Sequence, residues 1–256
     1  MIQLKDVCFS YGQQTVLSHI SCCMENARIT ALIGPNGSGK STCLKLCAGL
    51  LQPLSGAIAI DGLSAGSHPP KALARRLAYL PQTRPMALLT VRSLVSHGRF
   101  PHLGFGHRLS SGDEAIVERA MTAAGVADLA HRALPSLSGG QRQKAYLAMM
   151  LAQETENLLL DEPTTHLDIQ HQMELMDLLR GLRDAGRCVV VVLHDLSQAL
   201  SLCDHVILLH QGILRYSGSP QALLDSGNIQ AVFGVQPVMR TEICFERMSP
   251  SNAEKC

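Results

Sequence analysis

The apolar positions of this chain fall into three textures, and their order predicts the architecture. Near the start, Ile2, Leu4, Phe9, Val16 and Ile20 sit in short stretches broken at Tyr11 and Gly12, the pattern of antiparallel strands joined by a turn. A turn at Leu54, Ser55 and Gly56 leads into a strand at 57–60 that Asp61 and Gly62 close as a hairpin, so a small β subdomain is expected beside the core. Nearly unbroken apolar runs at 29–33, 157–160 and 188–193 read instead as buried core strands, and 77–80 is a further strand. Between 90 and 152 the texture is helical: Thr90 can cap one helix, and Ser111, Gly112, Asp113 and Glu114 offer a capping box for a second. That second helix carries Ile116, Val117, Ala120, Met121 and Ala124 at helical spacing up to Gly125. Ser138 and Gln141 have the same capping spacing before a helix that runs to about Ala152. Ile169, Met173, Met176, Leu179 and Leu182 mark another helix, ending at Gly186. A hairpin about Gln211 and Gly212 and a short helix begun by Ser219 and Pro220 follow. Beyond Gly234 the pattern weakens, and 249–256 reads as a frayed polar end.

Composition narrows the class. The chain has 256 residues, 46% hydrophobic and 17% charged, enough to bury a full core as one elaborated domain. The longest wholly apolar run, 188–193, is far short of the roughly 20 residues of a membrane span, and the first residues carry no signal-peptide pattern, so a soluble intracellular chain is expected. Nine cysteines form no C-x-x-C pair; Cys22 with Cys23, and Cys43 with Cys47, fit buried small apolar residues of a reducing compartment. A net charge of +1 argues against extensive neutralisation of nucleic-acid phosphates, and no nucleic-acid partner is expected.

The chemistry centres on Gly34, Pro35, Asn36, Gly37, Ser38, Gly39, Lys40, Ser41 and Thr42, a glycine loop between the strand at 29–33 and a helix beginning near Ser41. Loop N–H groups and a helix N-terminus converge there on phosphate oxygens, and glycines permit the turns and close approaches a Cβ would block. In the G-x-x-x-x-G-K-[ST] pattern Lys40 would reach the β- and γ-phosphates and the Ser41 hydroxyl would ligate Mg²⁺. Pro81 ends a strand and delivers Gln82 to a loop, where an uncharged amide can bind metal-bound water or sense the terminal phosphate. Asp161 and Glu162 close the strand at 157–160: the first suits the outer shell of that Mg²⁺, and the second is placed to polarise a water. His194 follows the last core strand, at the strand end where open α/β sheets bind ligands. Ser138, Gly139, Gly140 and Gln141 form a second helix start with bare backbone, ready for phosphate. Tyr11 is either a strand-end tyrosine or a ring for stacking on a base. The segment 99–106, with Phe100 and Phe105, is either a loop anchored by Phe100 or a docking surface.

Taken in order, the glycine loop, Gln82, L-S-G-G-Q at 137–141, L-L-L-D-E at 158–162 and His194 resemble the ATP-binding cassette (ABC) ATPases over roughly residues 2–224. The resemblance implies an α/β fold: a RecA-like P-loop NTPase core with an antiparallel β subdomain and an inserted helical subdomain at about 86–152, within a cassette at 2–234 and ahead of a tail at 235–256. It also implies site roles. Tyr11 would stack on adenine, Gln82 would couple nucleotide state to the partner, and Ser138, Gly139, Gly140 and Gln141 would contact ATP bound on the opposite subunit. Asp161 would be the Walker B carboxylate, Glu162 the catalytic base, Asp168 part of the loop between subunits, and His194 the residue touching the γ-phosphate. ATP and Mg²⁺ are the implied cofactors. The implied partners are a second copy of the chain in a head-to-tail dimer and a membrane permease on whose cytoplasmic face the ATPase sits peripherally, with a substrate-binding protein acting through the permease.

Within the family, G-R-F-P-H at 98–102, the signature helix at 137–153 and D-E-P-T-T-H-L-D-I at 161–169 look most like the importer ATPases for ferric siderophores. Haem and cobalamin importers are close relatives, and a soluble ABC ATPase of DNA repair or translation is the alternative of another class; those carry long coiled-coil insertions or paired cassettes, which this sequence lacks. Two positions depart from the family pattern. Lys144 stands where arginine is usual, and Glu25, Asn26 and Ala27 replace a glycine-containing turn, with Asn26 the expected left-handed residue.

Overall fold

In the computed structural model, which describes residues 1–67, 69–84, 88–104, 108–165 and 167–236, the chain opens with two long strands, β1 (Ile2–Tyr11) and β2 (Gln14–Met24). They pair antiparallel about Gly12, and both are bulged where Asp6 and His19 take positive φ. β3 (Arg28–Ile33), buried at every position after Arg28, then enters the core, followed by the glycine loop and α1 (Lys40–Cys47). The turn before β3 places its left-handed φ of 55° on Ala27, one residue after the Asn26 expected from sequence. There the Ala27 amide donates to the carbonyl of Gly186 at 3.2 Å, a tertiary bond that outweighs asparagine's local preference.

β4 (Ser55–Ile60) adds to the free edge of β1 and turns through Asp61 and Gly62, both at positive φ, into β5 (Leu63–Ser64). The resulting antiparallel sheet has the order β2-β1-β4-β5. A short helix, α2 (Pro70–Ala74), leads to β6 (Leu77–Leu80).

The helical region comprises α3 (Val91–His97), α4 (Ser111–Ala123) and α5 (Gly139–Ala152), with α3 and α4 both packed on α5. Thr90 caps α3 as expected. The cap of α4 is Ser110 rather than Ser111: its hydroxyl accepts from the Asp113 amide and the Asp113 carboxylate accepts in return from the Ser110 amide at 3.0 Å. This frame wins because it leaves Asp113 facing Arg99, whose Nε donates to it at 2.9 Å. Arg99, 6% exposed, also donates to the Ala152 carbonyl at 2.9 Å and to Glu154 at 3.1 Å, so a buried cation has two carboxylates and a carbonyl around it.

The rest of the chain alternates strand and helix: β7 (Asn157–Asp161), α6 (Ile169–Asp184), β8 (Cys188–Val192), α7 (Leu196–Leu202), β9 (His205–His210), β10 (Ile213–Gly218), α8 (Pro220–Asp225) and α9 (Asn228–Phe233). The second sheet runs β10-β9-β3-β8-β7-β6, parallel except for β10. Every residue of β7 and β8 is buried, because helices cover one face and α1 with the antiparallel sheet covers the other. Alternation divides the strands between two cores: Val189 and Val191 face the helices, while Val190 and Val192 face α1 and the β subdomain. The β subdomain expected beside the core is therefore present, and the carboxyl ends of β3, β7 and β8 open on the same edge as the glycine loop. Among the described residues no helix is long and apolar enough to cross a membrane.

Candidate functional site

The glycine loop is fixed by the sheet beneath it. At Gly34, φ is 147° and a Cβ would lie 2.1 Å from the carbonyl oxygen of Leu209, so only glycine allows β3 to leave the sheet at this point. Gly39 holds φ at 101° beside Leu17 and starts α1 with no side-chain cap, which leaves the first amides of the helix facing the loop. Lys40 is buried and folds back over the loop, its Nζ donating to the carbonyls of Gly34 at 2.8 Å and Pro35 at 2.9 Å. Burial lowers its pKa, opposed by the nearby carboxylates of Glu162 and Asp161. Ser38 is 3% exposed and its hydroxyl has no partner in the protein, an orphaned group inside a ring of phosphate-ready donors.

One strand end supplies both acids. Asp161 closes β7 and accepts from the Ser41 hydroxyl at 3.0 Å and the Tyr79 hydroxyl at 3.3 Å. Burial pushes its carboxyl above the usual range, opposed by the Ser41 bond. A hydroxyl and a carboxylate held this close are hard oxygen donors of the kind Mg²⁺ takes, and a cation there would relieve the buried charge. Tyr79, on β6, carried no signal in the sequence; the register of β6 against β7 aims it at Asp161.

Glu162 is the next residue and takes φ of 51°, a left-handed conformation that swings its carboxylate out of the strand line. Two predicted residues meet it there: Gln82 donates an amide hydrogen to Oε2, and His194 contacts Oε1 through Nε2. Gln82, Glu162, His194, Lys40, Ser41 and Tyr11 together border one open cleft of about 570 Å³. Tyr11 stands at its mouth, 48% exposed and edge-on to Phe9 at 4.8 Å.

Two predicted elements lie elsewhere. Ser138 caps α5 with a complete box to Gln141, as expected, but none of Ser138, Gly139, Gly140 and Gln141 borders the cleft. A Cβ on Gly139 would meet nothing within 4 Å, and one on Gly140 only ordinary contacts at 3.6 and 3.8 Å, so the chain's own packing does not require these glycines. Asp168 caps α6, accepting from the His171 amide at 2.9 Å, and is likewise outside the cleft. Lys144 takes a carboxylate partner despite lacking arginine's fork: Nζ lies 2.6 Å from Glu174.

The segment from Arg99 is anchored by Arg99 itself and by buried Leu103, not by Phe100, which is 48% exposed against the His97 ring. Lys71 and Arg75 donate to the carbonyls of Leu103 and Pro101 at 2.6 and 2.8 Å, tying the segment to α2. Phe105, the second expected aromatic, falls outside the described residues, as do 237–256 of the expected tail.

Comparison with known proteins follows the same lines. The sequence model of the family described as "ABC transporter" matches residues 17–165. The achromobactin transport ATP-binding protein CbrD of Dickeya dadantii (strain 3937) is 40% identical, over 97% of this chain and 96% of the relative. The ferric enterobactin transport ATP-binding protein FepC of Escherichia coli (strain K12) is also 40% identical, over 95% and 92%. Among solved structures, an ATP-binding subunit of an ABC transporter superposes with a TM-score of 0.78 at 25% identity, covering 93% of this chain and 95% of that one.

Proposed function

The chain belongs to the ABC transporter family, and from that premise we propose that it is the ATP-hydrolysing subunit of a bacterial importer for a ferric siderophore, driving a separate permease. The observation that carries the enzymatic part is the convergence of Gln82 and His194 on the Glu162 carboxylate above the glycine loop. In this reading the backbone N–H groups of the loop 34–42, Pro35 excepted, and Lys40 bind the phosphates, Tyr11 stacks on adenine, and Ser41 with Asp161 would hold Mg²⁺, with Gln82 beside it. The cation supplies charge neutralisation at the phosphates. Glu162 orients and polarises the attacking water, Gln82 and His194 hold that carboxylate in place, and His194 reports the terminal phosphate.

The unused glycines at 139 and 140 support a second half of the proposal. Two copies would pack head to tail, so that Ser138, Gly139, Gly140 and Gln141 of one lie over the nucleotide of the other, with Asp168 between them. A ligand pressed against a bare helix start gives those glycines a reason that the single chain does not. In this account the cassette occupies 2–234, its helical subdomain about 86–152, and 235–256 is a tail; exposed Phe100 belongs to the face that meets the permease at the cytoplasmic side of the membrane. A substrate-binding protein acts only through that permease.

The cargo rests on the relatives, whose names specify achromobactin and ferric enterobactin. The test is uptake of iron-loaded siderophores by cells lacking the chain, complemented with wild type or with Glu162→Gln. Restoration by wild type alone supports the proposal; restoration of haem uptake with no effect on any ferric siderophore overturns the cargo.

A further inference from the structure

Arg84, two residues beyond Gln82, does not border the nucleotide cleft, yet its side chain is committed in three directions. Nε donates to the Pro81 carbonyl at 2.9 Å and draws the neck of the Gln82 loop closed. Nη1 donates to the side-chain oxygen of Gln143. The guanidinium also lies 5.0 Å from the ring centroid of Tyr146, one turn further along the same face of α5. Gln143 in turn uses its other end: Nε2 donates to the carbonyl of Pro163 at 2.8 Å, the residue next to Glu162. An amide can accept from Arg84 and donate to Pro163 in one orientation only, so each bond fixes the other. With Gln82 bonded to Glu162 the links close into a ring: Gln82 to Glu162 by side chains, Pro163 to Gln143, Gln143 to Arg84, and Arg84 back through two residues of backbone.

From this geometry we infer that Arg84 and Gln143 are positioning residues, which lock the Gln82 loop, the helix that begins at Ser138 and the Glu162 segment into one unit. The inference rests on the hydrolytic reading of the cleft and adds to it a reason for Gln82 and Glu162 to stay in register. Three elements remote in sequence must arrive together for Glu162 to be held, and hydrogen bonds of this chain span each gap between them. A movement of the Gln82 loop is then felt at α5 and at Glu162 without passing through nucleotide. Burial lowers the Arg84 pKa to about 10, and the guanidinium remains charged at neutral pH. Lysine cannot replace it, because one ammonium cannot reach Pro81, Gln143 and the Tyr146 face in the fixed planar arrangement.

The test uses the purified full chain and measures ATP affinity, steady-state turnover and thermal midpoint for Arg84→Lys, Gln143→Leu and the pair together, with Glu162→Gln as the reference. Each single variant is expected to lower kcat about tenfold with ATP affinity within about twofold of wild type, a split that a general loss of folding would not give. The double variant is expected to be no slower than the worse single, because both changes open the same ring. Gln143→Glu, which still accepts from Arg84 but cannot donate to Pro163, should behave as Gln143→Leu; it keeps the test valid if leucine fails to fold. Wild-type turnover in the Arg84 and Gln143 variants, or defects that multiply in the pair, overturns the link. If those variants are wild-type while Glu162→Gln is inactive, the hydrolytic reading stands and only the link fails; if Glu162→Gln itself is active, the reading of the cleft fails.

Discussion

Alanine at Gly139 and alanine at Gly34 should have opposite consequences, although both glycines belong to segments proposed to bind phosphate. At Gly34 the new methyl would sit 2.1 Å from a backbone oxygen, in a φ region that L-residues rarely adopt. Backbone strain of roughly 1–3 kcal/mol and overpacking of a similar size combine to about 2–6 kcal/mol, a large part of the ~5–15 kcal/mol that holds a domain folded. At Gly139 the methyl meets nothing within 4 Å and the backbone stays out of the left-handed region. Alanine there removes glycine's entropic cost at the first position of a 14-residue helix, worth at most about 1 kcal/mol and less at a helix end. For a chain of this size that is a rise in Tm of no more than about 2–4 °C. The same methyl would stand between the helix start and a nucleotide bound on a partner copy. Gly139→Ala should therefore unfold at or slightly above the wild-type temperature while ATP-dependent dimerisation, read by gel filtration in a Glu162→Gln background, weakens at least tenfold. A lowered midpoint would mean that the glycine serves the chain's own fold, and undiminished dimerisation would mean that nothing approaches it; either result refutes the reasoning.

Acid stability should report the α4 cap. Hydrogen bonds from Ser110, followed by the Arg99 guanidinium, hold the Asp113 carboxyl at about 2, below the ordinary value near 3.9. A carboxyl depressed on folding stabilises fully above its unfolded pKa, and the contribution is lost as pH falls through the folded one. Asp113→Asn should flatten the dependence of the urea midpoint on pH between about 4 and 2, and an unchanged slope would contradict the assignment. Phe100→Ala should leave basal ATP turnover unchanged and abolish co-purification with the permease; normal assembly and uptake would make Phe100 an incidental exposed ring.

What could be read without coordinates was whatever local pattern determines. The glycine loop, the Ser138–Gln141 capping box, the buried runs that became β3, β7 and β8, and the grouping of Gln82, Glu162 and His194 all follow from short-range sequence and the family order. Tertiary choices were hidden. Two adjacent serines offer two capping frames, and only Arg99, arriving from the turn after α3, selects Ser110. Asn26 has the better left-handed propensity, yet the bond to Gly186 assigns that conformation to Ala27. Tyr79 and the Arg84–Gln143 pair left no trace because their partners lie 59 to 82 residues away in sequence, where no periodicity speaks. The glycines of the signature were legible as residues but not as a puzzle; that they are unneeded by the monomer emerged only once the space around each Cβ position was known.

In the proposed reading Glu162, held by Gln82 and His194 over the glycine loop, is the base that makes this site an ATPase. Single-site replacement by glutamine keeps the shape and one acceptor while removing the charge, so ATP binding measured by equilibrium titration should stay within about twofold of wild type. Turnover measured on the same preparation should fall by roughly 10²–10⁴-fold, the loss of a general base, or about 3–5 kcal/mol of barrier. A turnover within about threefold of wild type, with ATP bound normally, would contradict the account.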